Sequence, residues 1–105
     1  MKRYRLEDYH KGWVVGNFVP SILELNTEVA LQRMPKGVPT KDHVHKEATE
    51  ITIVVSGALR INGNSYGPND ICVLEPGEIS RSEFLEDTII VVIKTPSVPL
   101  DKYEV

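Results

Sequence analysis

Three side chains in the segment "HVHKEATE", residues 43 to 50, could do chemistry together. His43 and His45 stand one residue apart, and Glu50 follows five residues after His45. In an extended strand, residues i and i+2 point to the same face, so the two imidazoles project together and Val44 points away. A tight turn from Lys46 to Thr49 would start the next strand at Glu50, antiparallel beside the first, and return the carboxylate to the imidazoles. Two imidazoles and one carboxylate suit a divalent first-row metal ion, with Fe, Mn, Ni and Zn as candidates. Three protein ligands leave coordination positions open for water or substrate. The same histidines without a metal could act as general acid and base. Spacing alone also allows the bland alternative of an exposed histidine pair.

These residues need a rigid sheet to hold them, and the rest of the chain supplies one. It reads as short runs rich in Val, Ile, Leu and Thr, separated by Gly, Pro, Asn and Asp. The predicted strands are Trp13–Val15, Ile22–Leu25, Glu28–Met34, Lys41–His45, Ile51–Ser56, Ala58–Ile61, Ser65–Gly67, Ile71–Leu74, Ile79–Phe84 and Thr88–Lys94. Only "RLEDYHK" could form a helical turn. Asn62-Gly63 accepts positive φ at both central positions and predicts a tight hairpin. Many short strands at close spacing imply an all-β sandwich or jelly-roll barrel. Thr52 and Val54 share the face of Glu50, while Ile51, Ile53 and Val55 share the other; two apolar faces predict a strand sandwiched between layers. Gln32 and Arg33 lie on opposite faces of the preceding strand, so one of them lines the pocket, and Gln32 is the candidate. The tail "KTPSVPLDKYEV" predicts an extended surface segment reaching toward a partner subunit, with Tyr103 as its anchor.

The chain has 105 residues, which fits one domain over 1–105. A chain this short buries only about 60–70 % of its unfolded surface, so a homodimer is expected. The composition is that of a soluble protein, with 41 % hydrophobic and 26 % charged residues. The net charge of −3 gives no basic footprint for nucleic acid. No apolar run approaches the ~20 residues of a membrane span, and the first residues lack the apolar core of a signal peptide. Cys72 is the only cysteine, which excludes a disulfide framework and favours a cytoplasmic location. It reads as a small buried apolar residue. Trp13 reads as a core or interface anchor, with stacking on a sugar ring as the functional alternative. Arg60 reads as an exposed hairpin residue, and His10 as an exposed residue near the N-terminus.

The segment "GVPTKDHVHKEATEITIVVSG" follows the pattern G-x5-H-x-H-x4-E-x6-G from Gly37 to Gly57. This resembles the first motif of the cupin superfamily at every defined position, and its inner part is similar to the germin branch. The resemblance implies a double-stranded β-helix with its site inside the barrel. It also implies that His43, His45 and Glu50 match the family's metal ligands. The second cupin motif, G-x5-P-x-G-x2-H-x3-N, falls on "NDICVLEPGEISRSEF" and is degenerate. Gly77 matches, but Asn69, Glu75, Ser80 and Phe84 replace the glycine, proline, histidine and asparagine. A serine hydroxyl is a poor metal ligand but can hydrogen-bond a bound water or substrate. The site would then use three ligands, be completed by Glu78 or Glu83, or work without metal.

Three functions compete on this reading. One is a small metal-binding cupin acting on, or binding, a small polar molecule. The second is a metal-free cupin resembling sugar-nucleotide isomerases and epimerases. The third is a non-catalytic ligand-binding module. Ser80, Thr52 and Gln32 are the pocket-lining candidates in each.

Overall fold

The computed structural model describes residues 1–105. Eleven strands follow in order: β1 (Trp13–Val15), β2 (Glu28–Met34), β3 (His43–Val44), β4 (Thr49–Ser56), β5 (Leu59–Ile61), β6 (Asn64–Tyr66), β7 (Ile71–Leu74), β8 (Ile79–Ser80), β9 (Ser82–Phe84), β10 (Thr88–Thr95) and β11 (Tyr103–Glu104). A five-stranded sheet runs β1-β2-β10-β4-β7. Two three-stranded sheets, β11-β3-β8 and β6-β5-β9, complete the structure. All strand pairs are antiparallel. Two short 3-10 turns, Leu6–Asp8 and His10–Gly12, stand where a helical turn was expected.

The core lies between the five-stranded sheet and the β6-β5-β9 sheet. Val54, Cys72, Leu74, Ile90 and Val92 meet Leu59, Ile61 and Phe84 there. Cys72 is a free, buried thiol within this cluster. Alternation along each strand sends every second residue inward. The inward rows of the large sheet run in register: Ala30–Val92–Thr52–Cys72, and beside it Glu28–Lys94–Glu50–Leu74.

Several expectations change in the folded chain. The run 79–84 is two strands, because the chain changes sheets at Arg81: Ser80 pairs with His43, and Ser82 pairs with Ile61. The Arg81 N–H donates to Asn62 Oδ1 at 2.9 Å, which satisfies it at the crossing. The 22–25 run keeps only a parallel bridge from Leu23 to Val15, as it meets nothing beyond the short edge strand β1. Strand β4 is covered on one face only. Its outward residues continue rows of aliphatic side chains: Val29–Ile93–Ile51–Val73, extended through Val15 to Leu23, and Leu31–Val91–Ile53–Ile71. No layer of this chain covers them, and Val55, Ile71 and Val73 are about half exposed.

The tail also differs from the extended surface segment expected. It folds back on its own chain, where β11 pairs with β3 and Asp101 is buried. The Lys46 ammonium lies 4.0 Å from the centroid of the Tyr103 ring, so Tyr103 does anchor the tail, but within the same chain.

Turn chemistry explains the hairpins. Asn62 and Gly63 have φ of 50° and 82°, the pair of positive values a tight β5–β6 turn requires. Gly57 has φ +95°, and a Cβ there would lie 2.7 Å from Thr88 Cα. Thr88 is nearly inaccessible, and its hydroxyl accepts the Ala58 N–H at 3.2 Å. Gly57→Ala should therefore lower unfolding stability by more than ~1 kcal/mol, from combined backbone strain and overlap. Urea unfolding of the variant beside the native chain checks this.

Candidate metal centre

The three residues of the histidine segment meet at one point. His43, His45 and Glu50 each offer a ligand atom, and these atoms lie within 4.8 Å of one another. The imidazoles are edge-to-face, with centroids 5.1 Å apart. His45 is buried and His43 half-buried.

The route to this meeting is not the expected hairpin. Strands β3 and β4 do not pair; β3 belongs to the β11-β3-β8 sheet and β4 to the five-stranded sheet. The turn between them crosses from one sheet to the other. Three successive N–H groups in it, from Lys46, Glu47 and Ala48, all donate to the Asp101 carboxylate, at 2.8, 3.1 and 3.0 Å. Backbone groups in a buried crossing need partners, and this one side chain supplies them.

Each imidazole is oriented through its second nitrogen. His43 Nδ1 lies 2.9 Å from the Lys41 carbonyl oxygen. His45 Nδ1 hydrogen-bonds the Asp101 carbonyl oxygen. A carbonyl can only accept, so both Nδ1 atoms carry the proton and each ring turns its Nε2 toward the centre. His45 Nε2 is 2.8 Å from Glu50 Oε2.

The protonation states follow from these contacts. Burial works against the charged form of His45, but the Glu50 carboxylate and the Asp101 carbonyl outweigh it and raise its pKa above 6.5. Burial likewise disfavours the charge on Glu50, but the hydrogen bond from His45 and the charge of Lys94 bring its pKa below 4.5. His43 moves the other way: burial lowers it, and its hydrogen bond to Lys41 only partly compensates. Glu50 also has Lys94 directly opposite on β10, and Lys94 Nζ lies 3.3 Å from Glu28 Oε1.

The remaining candidates take different places. Ser80 is buried and pairs with His43 across β3 and β8, while its hydroxyl lies 3.4 Å from that of Ser82. Thr52 is buried on the inward face, two residues from Glu50. The Gln32 amide donates to the Lys11 carbonyl oxygen at 3.1 Å. Neither acidic residue considered as a fourth ligand reaches the centre. Glu78 is exposed and accepts the Glu75 N–H, and Glu83 pairs with Arg60 at 3.0 Å on the outside of the β6-β5-β9 sheet.

Neither a family model nor a curated protein matches the sequence. Solved structures do match. An uncharacterized conserved protein with a double-stranded β-helix domain from Klebsiella pneumoniae superposes with a TM-score of 0.62 at 23 % identity, covering 69 % of this chain and 65 % of that one. A cupin-2 domain containing protein from Shewanella frigidimarina gives a TM-score of 0.56 at 16 % identity, over 67 % of this chain and 71 % of that one. This chain has the cupin fold. The bacterial pirin YhhW from Escherichia coli, in complex with nickel(II), gives a TM-score of 0.64 at 19 % identity, over 81 % of this chain and 38 % of that one. The chain thus spans less than two thirds of the Klebsiella protein and well under half of the pirin. The jelly-roll expectation from the strand pattern and the motif is correct.

Three residues of the cupin barrel escaped the sequence reading. Lys94 shares the parity of Ile90 and Val92, and Glu28 shares that of Ala30, so strand alternation would have found both. Asp101 had no local signal, because its partners lie more than fifty residues away.

Asp101 has a pH signature. Burial opposes its charge, but the N–H donors from Lys46, Ala48 and Glu47 outweigh that and lower its pKa below 3.8. A depressed folded value adds stability above the unfolded value, which is lost as pH falls through the folded one. Asp101→Asn should cost about 1–3 kcal/mol near neutral pH. The gap from the native chain should shrink below about pH 4, as urea unfolding across pH will show.

Proposed function

We propose that residues 1–105 form one cupin domain that holds a divalent first-row metal ion at His43, His45 and Glu50 and binds, or acts on, a small polar molecule there. The observation that carries this is the convergence of three ligand atoms within 4.8 Å, with each Nδ1 engaged by a backbone carbonyl. Nitrogen and carboxylate donors fit Fe, Mn, Ni or Zn. A bound ion would supply Lewis acidity to a ligand oxygen or to water. The chain's own part is to orient both rings and to keep the Glu50 carboxylate ionised. A cytoplasmic location belongs to the same reading, since the sole cysteine is a free buried thiol.

Proton and metal would compete for His45 Nε2. Elemental analysis of the tag-free protein should find near-stoichiometric metal, lost in both His43→Ala and Glu50→Ala. Metal affinity should rise with pH through the elevated His45 value, above 6.5, because the ion needs a neutral ring. The metal-free chain has the opposite trend. Its raised His45 contributes stability fully below 6.5, and that contribution is lost as pH rises through the folded value. A chain that takes up none of the four metals at any pH would refute the metal reading.

One observation favours a second reading, the metal-free acid and base. The two imidazoles have pKa values pushed in opposite directions, which would make His45 the acid and His43 the base. Turnover unchanged by chelation would select it.

The same reading includes a homodimer that packs the uncovered aliphatic rows of the large sheet against a second copy. Those rows contain no charged side chain. Strand spacing and rise make the face roughly 25 by 20 Å. Two such faces can stack as sheets do in a sandwich. Light scattering after gel filtration should give twice the chain mass. Ile53→Lys, in the middle of the face, should give a folded monomer. A native monomer at millimolar concentration would overturn the dimer.

A further inference from the structure

A cavity of about 440 Å³ lies beside the three candidate ligands and is not lined by any of them. Its volume is within the range of small-molecule sites. Trp13, Phe18, Val98 and Pro99 give it apolar walls, and besides the buried Asp101 it is lined by the charged pair Glu28 and Lys94. Their side chains are only 11 % and 17 % exposed.

The hydrogen-bond inventory of this pair is uneven. Glu28 uses both oxygens: Oε1 faces Lys94 at 3.3 Å, and Oε2 accepts the Ser97 hydroxyl at 2.8 Å. The Lys94 ammonium has three donors and lies 4.7 Å from the centroid of the Trp13 ring, with Glu28 as its one carboxylate partner. A buried ion pair adds little net stability over apolar packing of the same volume. A charged pair in an apolar cavity, with donors to spare, is therefore better explained by a ligand than by the fold.

We propose that this cavity takes the apolar body of a small monocarboxylate, whose carboxylate group is received by Lys94. The inference rests on the metal reading above. Lys94 stands directly opposite Glu50, and Asp101 both lines the cavity and accepts the His45 hydrogen bond, so cavity and centre share a wall. Glu28, Glu50, Lys94 and a divalent ion leave one net positive charge. Asp101 and the exposed Lys102, which also line the cavity, cancel each other. One carboxylate neutralises the set. A dianion would overfill it, and a polyol would set its hydroxyls against the apolar walls.

Trp13 is the only tryptophan and lines this cavity, so its emission reports on occupancy there. The zinc-loaded protein is titrated with benzoate and with benzyl alcohol, its neutral counterpart of similar size. Benzoate should perturb the emission saturably and bind at least tenfold more tightly than the alcohol. Lys94→Met should remove that preference, and Lys94→Arg should retain part of it. Because Lys94→Met strands a buried carboxylate, the Glu28→Gln/Lys94→Met double variant is measured as well and should also show no preference. Equal affinity for the two probes in a zinc-loaded chain overturns this inference and leaves the metal reading standing. Retained benzoate preference in the double variant overturns it too. A chain that takes up no zinc or other metal sinks both.

Discussion

Asp101 is the residue on which the candidate centre depends. Its carboxylate gathers three backbone N–H groups of the turn between β3 and β4, and its carbonyl accepts the Nδ1 hydrogen of His45. One residue thus holds the crossing between two sheets and orients a side chain at the end of that crossing. The arrangement works because a buried carboxylate needs several donors, and a buried turn needs acceptors. Each requirement meets the other. Distance in sequence is no obstacle once β11 has paired with β3 and brought the tail alongside.

The second constraint is charge. The inward row Glu28–Lys94–Glu50 places alternating charges across a barrel wall whose neighbouring row is mostly apolar. Desolvation makes such a row costly unless each member is paired. Lys94 lies between the two carboxylates, Ser97 supports Glu28, and His45 supports Glu50. Glu28 and Lys94 of this row line the cavity of Trp13 and Phe18, and Lys94 stands opposite Glu50 of the candidate centre.

A small barrel has little interior to give to such groups. The core cluster has eight buried residues, and a comparable set of aliphatic side chains faces outward from the large sheet. Ser80, placed where the second cupin motif has histidine, is buried beside His43 and linked to Ser82. It leaves the centre with nitrogen and carboxylate donors from the first motif alone.

Local sequence determined most of the strands, the Asn62-Gly63 turn and the shared face of His43 and His45. Alternation is a property of neighbouring residues, and it placed β2 and β7 at their observed bounds. The Asn62-Gly63 turn was equally legible, because positive φ is a local preference. The motif from Gly37 to Gly57 then pointed to the barrel. Tertiary structure alone decided which strands pair. The expected β3–β4 hairpin became a crossing between sheets, and the run 79–84 divided between two of them. It also decided that the tail returns to place Asp101 under the histidine turn, and that Lys94 meets Glu28. The physical reason is range. A strand's faces follow from adjacent residues, whereas the partner of a buried charge is chosen by the packing of segments that are remote in the chain.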